Sequence, residues 1–261
     1  MKMVSAAKLK KAQDAITAMR PYSDKLTELL QNFSSTLGAD SSSKFAEQRD
    51  IENVLIVAVT SNRGLCGAFN SNIIKQVTNV ASGYDAKASI FAIGKKANDA
   101  LSKNFEVISN QSSVFDDLTF DNVATIAEML MEQFESKAFD KIEVVYNKFK
   151  NAATQEILTE QFLPIISLES NSNSSQDYIF EPTKEEIVET LIPKSLKTQL
   201  YKSLRDSFAS EHGARMTAMH KATDNATELR DQLKLTYNKA RQASITNEIL
   251  EIVGGAEALN S

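Results

Sequence analysis

Tryptophan is absent from the 261 residues, cysteine occurs once and histidine twice. The lone Cys66 excludes an internal disulfide and suits a reducing compartment. With only His212 and His220 beside it, no zinc-type ligand set can be assembled. The two histidines are separated by about 12 Å along a helix, too far to share a metal. A cysteine nucleophile needs a neighbouring base, and both histidines fall in a different, helical part of the chain. Long apolar runs are missing as well. No stretch of about 18 residues qualifies as a membrane-spanning helix, and no secretory signal pattern is present. The sequence therefore predicts no catalytic residue, no metal site and no cofactor.

Proline and glycine are scarce, at four and eight residues, and their placement organises the chain. No proline lies in residues 194–259, and Gly213 is the only glycine there before Gly254. An uninterrupted helix of that length would run roughly 100 Å, more than a compact domain of this size spans. Met219, Ala222, Ala226, Leu229, Leu233, Tyr237 and Ala240 recur along it at three- and four-residue steps, close to the heptad of a left-handed coiled coil. Residues 1–37 carry a second such seam: Ala12, Ala15, Met19, Tyr22, Leu26, Leu29 and Phe33. Pro21 interrupts it and predicts a kink or a helix in two parts. An isolated helix gains most of its stability by burying its stripe. Two seams of matching period at opposite ends of the chain therefore predict an antiparallel pair.

Between the seams the pattern changes. After a glycine–serine break at residues 38–44, residues 53–60 (NVLIVAVT) form a continuous β-branched run, predicting a strand buried on both faces. A glycine loop and a helix over 70–80 follow, the opening of an α/β unit. Further elements are a strand at 88–93, a helix through 95–103, a short strand at 105–108 and an amphipathic helix at 121–136. Residues 141–150 and 154–163 alternate apolar and polar side chains around 151–153, predicting a hairpin. Residues 167–176, rich in Ser and Asn, read as a surface loop. Thr183 and Glu186 form a capping box that opens a short helix, which Pro193 ends or kinks. The fold class is α/β: a Rossmann-like domain over residues 51–180, inserted between an N-terminal helix (1–37) and C-terminal helices (183–261) that pair as an antiparallel coiled coil.

The net charge of −5 is unevenly spread. Lys2, Lys8, Lys10, Lys11, Arg20 and Lys25 stand against only Asp14 and Asp24 near the start. Residues 194–241 are likewise basic, so the middle is acidic. The basic groups are interleaved with acids and have few aromatics near them, which favours an acidic protein surface over nucleic acid as the partner.

Two stretches invite a functional reading. Arg63, Gly64, Leu65, Cys66 and Gly67 lie between a strand and a helix, where phosphate-binding loops sit, but they match neither GxGxxG nor the Walker A pattern. A structural tight turn is the stronger reading. An α/β enzyme with an anion-binding loop is the alternative, and a coiled-coil scaffold is another. Near the chain's end, Arg241, Gln242, Thr246 and Glu248 mix polar groups into a seam that should be apolar. They fit either breakable contacts with another protein or a solvated helix end. Gly213, in mid-helix, marks either a close packing contact or a flexible point.

These stretches also carry a resemblance. Ile245, Thr246, Glu248, Glu251, Gly255, Ala256 and Ala258, with YNKARQA at 237–243, match the C-terminal signature of the gamma subunit family of F-type ATP synthases. Residues 61–67 (SNRGLCG) resemble that family's SDRGLCG motif, with Asn62 in place of the usual aspartate. Residues 1–13 and 20–22 resemble its N-terminal helix. Members usually begin some twenty residues earlier with a basic helical stretch, and alanine is commoner at the position of Gly213. The resemblance implies a non-catalytic central rotor shaft that couples ion-driven rotation of a membrane c-ring to ATP synthesis and regulates ATPase activity. It implies the alpha, beta and epsilon subunits and the c-ring as partners. Arg241, Gln242, Thr246 and Glu248 become contacts to the beta subunit. The implied location is peripheral, at the cytoplasmic side of the cell inner membrane.

Overall fold

The computed structural model describes residues 2–36, 44–165 and 184–259, with the backbone alone at 24, 27–36, 184–189, 257 and 259. The chain divides into two compact units, Met1–Thr217 and Ala218–Ser261. The expected loop at 167–176, the capping box of Thr183 with Glu186, and most of the break at 38–44 lie outside the described residues.

In the first unit, β1 (Asn53–Val59), β2 (Lys87–Ile93), β3 (Glu106–Asn110), β4 (Lys141–Phe149) and β5 (Gln155–Leu163) form one sheet in the order β3-β2-β1-β4-β5. β1 pairs in parallel with β2 and β4, β2 in parallel with β3, and β4 antiparallel with β5, the expected hairpin. From Val54 to Val59 β1 is apolar and buried, because both of its faces are covered. Leu55, Val57 and Val59 face one core layer while Val54, Ile56 and Ala58 face the other, as the two-residue strand period requires. The second layer is filled by α2 (Phe69–Ser82), through Ile73, Val77 and Ala81, and by α3 (Lys95–Leu101), through Ala97 and Leu101. The first layer is filled by Val123, Ile126, Leu130 and Phe134 of α4 (Phe120–Glu135), as expected from its stripe. It is completed by Ile192, Leu196, Leu200 and Leu204 of α5 (Lys184–Leu259), which step by four residues along one helix face.

Neither proline ends its helix. The N-terminal helix α1 (Lys2–Thr36) is one element containing Pro21, and α5 is one element containing Pro193. Each proline removes one backbone hydrogen bond. Pro21 and Thr17, the residue whose carbonyl is freed, both lie on the solvent face of α1, where water takes the missing donor's place.

The α1 seam is also rotated from the expected one. Among the described side chains of α1, Ser5, Leu9, Ala12, Ile16, Ser23 and Leu26 are buried, Ala12 and Leu26 as expected, while Tyr22 is exposed. Leu9, Ala12 and Ile16 pack with Phe149 and Ala209. Lys8 lies by Glu211 and Arg20 by Asp206, so rising numbers in α1 meet falling numbers in α5. The pairing is antiparallel, as expected, but it uses residues around 206–216 of α5 rather than the seam at 219–240.

The second unit is the remainder of α5. Ala222, Ala226, Leu229, Leu233, Tyr237 and Ala240 are exposed and Met219 is half-buried. Among the described residues, the apolar side chains of this seam beyond Met219 are therefore open to solvent.

Candidate functional site

The glycine loop follows β1 at the point where strand order reverses between β2-β1 and β1-β4, the usual ligand crevice of open α/β sheets. Its geometry is fixed from both ends. The Thr60 amide donates to the Ile93 carbonyl at 2.9 Å, and the Thr60 hydroxyl accepts from the Ala97 amide at 2.8 Å at the start of α3. A Cβ at Gly94 would lie 2.2 Å from the Thr60 carbonyl oxygen, so only glycine allows this approach. The Ser61 amide donates to Asn70 Oδ1 at 2.9 Å, and Asn70 Nδ2 reaches the buried Cys66 Sγ at 3.2 Å. Leu65 and Gly67 adopt positive φ, 62° and 61°, which turns the chain sharply and leaves the Leu65 side chain exposed.

Asn62, where the SDRGLCG motif it resembles has an aspartate, makes two hydrogen bonds. Its Oδ1 accepts from the Lys95 amide at 3.0 Å while its Nδ2 donates to the Ser112 carbonyl at 2.8 Å. A carboxylate can make the first bond but not the second.

α5 closes the crevice. The Arg215 guanidinium donates to the carbonyls of Arg63 (3.2 Å) and Gly64 (3.3 Å) and pairs with Glu211 Oε1 at 2.6 Å. The loop thus turns carbonyl acceptors towards a cation of its own chain, the opposite of the amide cradle that holds a phosphate. Burial pushes the Glu211 carboxyl up, and Arg215, Lys8 and Arg63 pull it back. His212 is buried edge-on to Phe208, with ring centroids 4.5 Å apart, and neither ring nitrogen has a partner. Burial, then the charges of Arg215 and Lys8, push this imidazole down to about 4. Beside them lies a cleft of about 530 Å³ lined in part by Ser5, Lys8, Arg63 and Leu65. Among the described residues, no group of three or more His, Cys, Asp and Glu is placed to hold a metal ion.

Gly213 is a close packing contact. A Cβ there would lie 3.1 Å from the Ala152 carbonyl oxygen, at the turn between β4 and β5.

In the second unit Arg241, Gln242, Thr246 and Glu248 are all exposed. The Thr246 hydroxyl donates to the Gln242 carbonyl at 2.9 Å within the helix. At about 100° per residue, Arg241 and Glu248 share one edge of a surface and Gln242 and Thr246 the other. Ile245, Ile249 and Ile252, likewise exposed, lie between them. The four- and three-residue spacing of this stripe is legible in the sequence.

No described helix is long and apolar enough to cross a membrane.

The comparisons with known proteins match this architecture. A family model described as ATP synthase matches residues 1–259. The ATP synthase gamma chain of Flavobacterium psychrophilum is 74% identical over 261 residues, covering 99% of this chain and 91% of the relative. That of Flavobacterium johnsoniae is 70% identical, covering 100% and 92%. Among solved structures, a chain of the Tetrahymena thermophila mitochondrial ATP synthase central stalk and c-ring shares the fold with a TM-score of 0.64 at 24% identity, covering 85% of this chain and 97% of that one. A chain of the Euglena gracilis mitochondrial ATP synthase gives 0.63 at 23% identity, covering 99% and 94%. The chain belongs to the gamma chain family of ATP synthases.

Proposed function

We propose that this chain is the non-catalytic central rotor shaft of an F-type ATP synthase. It couples ion-driven rotation of a membrane c-ring to ATP synthesis at sites held by beta subunits, and it regulates their ATPase activity. One observation carries the reading. Residues 222–256 of α5 are exposed around the whole helix circumference, Leu229, Leu233, Tyr237, Ile245, Ile249 and Ile252 included. A helix with so much apolar surface in water is stabilised by a partner that wraps it. A ring of alpha and beta subunits is such a partner, and a surface that mixes isoleucines with Arg241, Gln242, Thr246 and Glu248 suits contacts made and released in turn.

The work divides along the chain. Residues 1–37 and 183–261 form the shaft, and residues 51–180 form the foot that meets the epsilon subunit and the c-ring. Torque passes from foot to shaft through the core that Leu196, Leu200 and Leu204 share with the sheet. An asymmetric shaft turning inside the ring contacts each beta subunit differently. That difference in interaction energy shifts the conformational equilibrium of each site in sequence. The chain does no bond chemistry, since the carbonyls at the sheet crevice are taken up by Arg215. It acts within a membrane-associated complex, peripherally, at the cytoplasmic side of the cell inner membrane.

The test is reconstitution. Mixed with alpha and beta subunits, the full chain should yield a complex that survives gel filtration and hydrolyses ATP faster than alpha and beta alone. Absence of both complex and stimulation contradicts the proposal.

A further inference from the structure

The seam between α1 and α5 is largely apolar, with small serines and two buried acids of α5, Asp206 and Glu211. Lys8 of α1 lies by Glu211 and Arg20 by Asp206. Asp206 is fully buried, and against that burial its charged form is favoured by Arg20, Lys202, Lys148 and the backbone of Phe149. Arg20 Nη2 stands 3.6 Å from Oδ1 and donates to the Phe149 carbonyl at 3.2 Å. Lys148 of β4 and Lys202 of α5 add positive charge around the carboxylate, while Tyr146 of β4, donating to Glu160 of β5 at 2.8 Å, lies on the same side. Arg20 is therefore the cation that α1 brings to a junction of three elements: α1, β4 and α5.

The apolar side chains around this junction do not by themselves fix how far along α5 the first helix lies. Ser5, Leu9, Ala12, Ile16, Ser23 and Leu26 follow a heptad-like spacing. A slide of seven residues, about 10 Å, puts Ile16 where Leu9 was, Met19 where Ala12 was and Ser23 where Ile16 was, and brings no charge to these seam positions. The charge is not degenerate in this way. Slides of three, four or seven residues in either direction bring Thr17, Ser23, Ile16, Asp24, Gln13 or Thr27 to the place of Arg20. None is a cation, and Asp24 repeats the charge of Asp206. Each alternative register leaves a buried carboxylate without its α1 partner, which is strongly unfavourable.

We infer that Arg20 and Asp206 are positioning residues that select the register of α1 on α5. A buried polar pair in a largely apolar seam specifies alignment in this way, at some cost in stability. If the chain is the shaft proposed above, the pair sets how the two helices turn together. The register itself is a property of the chain alone.

Spin labels at Lys10→Cys and Asn72→Cys, both exposed sites, report the register in the full purified chain, with the buried Cys66 left unlabelled. Electron–electron double resonance should give one narrow distance for this background and for Arg20→Lys. Asp206→Leu and Arg20→Leu should each add a second population displaced by about 5–10 Å, one to two helical turns. Asp206→Asn provides the same test if the leucine variant does not fold. A single unchanged distance in Asp206→Leu or Asp206→Asn, whatever happens to the melting temperature, overturns the inference. Reconstituted ATPase activity of the unsubstituted chain is scored separately, so failure of the shaft reading leaves the distance result standing.

Discussion

The guanidinium of Arg215 lies 3.3 Å from the carbonyl oxygen of Gly64, a residue 151 positions earlier in the chain. This contact fastens α5 to the loop that follows the first strand, and with the Arg215–Glu211 pair it fills the crevice where a related α/β fold would take a ligand.

Replacing Arg215 with Met should destabilise the chain by about 3 kcal/mol, since Glu211 is left buried without its cation and two loop carbonyls lose a charged donor. Adding Glu211→Gln should recover part of that loss. Urea unfolding of the two variants measures both effects, and equal losses would mean that the carbonyl bonds dominate.

Isothermal titration of the full chain with ATP, NAD or inorganic phosphate should be flat. The loop offers carbonyls where an anion needs amides. Saturable binding that is lost in Arg63→Ala would revive the anion-loop alternative.

His212 makes stability fall in acid. Its folded-state value of about 4 lies below the ordinary value of about 6.5, so the unfolded chain binds the proton more tightly. The contribution is complete above about pH 6.5 and is lost as pH falls towards 4, a change of about 3 kcal/mol. Burial raises the carboxyls of Asp206 and Glu211, and their contributions run the opposite way. They are common to the wild type and His212→Leu, so the difference between the two proteins isolates the imidazole. Parallel stability curves between pH 4 and 7 would contradict this.

At Gly213, alanine should be close to neutral. The helix gains up to about 1 kcal/mol, and the 3.1 Å approach to Ala152 takes much of it back. Leucine should cost about 1–3 kcal/mol by overpacking against the hairpin turn. Thermal melts of the two variants decide it, and a tolerated leucine would mean that the turn yields freely.

Alanine at Arg241, Gln242, Thr246 or Glu248 should leave the stability of the isolated chain within about 0.5 kcal/mol, because all four are exposed. The same changes should lower ATP turnover in the reconstituted complex, most clearly in combination. Unchanged turnover in the quadruple variant would remove these residues from the coupling surface.

Much of the first unit was legible in the sequence because its signals are local. β1 is covered on both faces and so reads as an unbroken β-branched run. α4 presents one apolar stripe, and β4 and β5 alternate around a short turn. Of the expected α1 seam, Ala12 and Leu26 are buried and Ala15 and Met19 half-buried, but alanine and larger apolar residues surround much of that helix and leave its phase loosely set by the pattern. Tertiary packing against Phe149 and Ala209 chose Leu9 and Ile16 over Tyr22. Pro21 and Pro193 overstated the breaks, since losing one hydrogen bond does not end a long helix held by packing or open to water. The Arg20–Asp206 and Arg215–Gly64 contacts join distant parts of the chain and left no periodic trace. The heptad at 219–240 predicts a partner helix from the same chain, whereas among the described residues its side chains beyond Met219 are exposed.

The most direct test of the central claim is rotation itself. With an alpha–beta hexamer fixed to a surface and a bead attached to the foot of this chain through Asn72→Cys, ATP should drive unidirectional, stepwise turning with three-fold symmetry. A bead that only diffuses while the same complexes hydrolyse ATP would contradict the account.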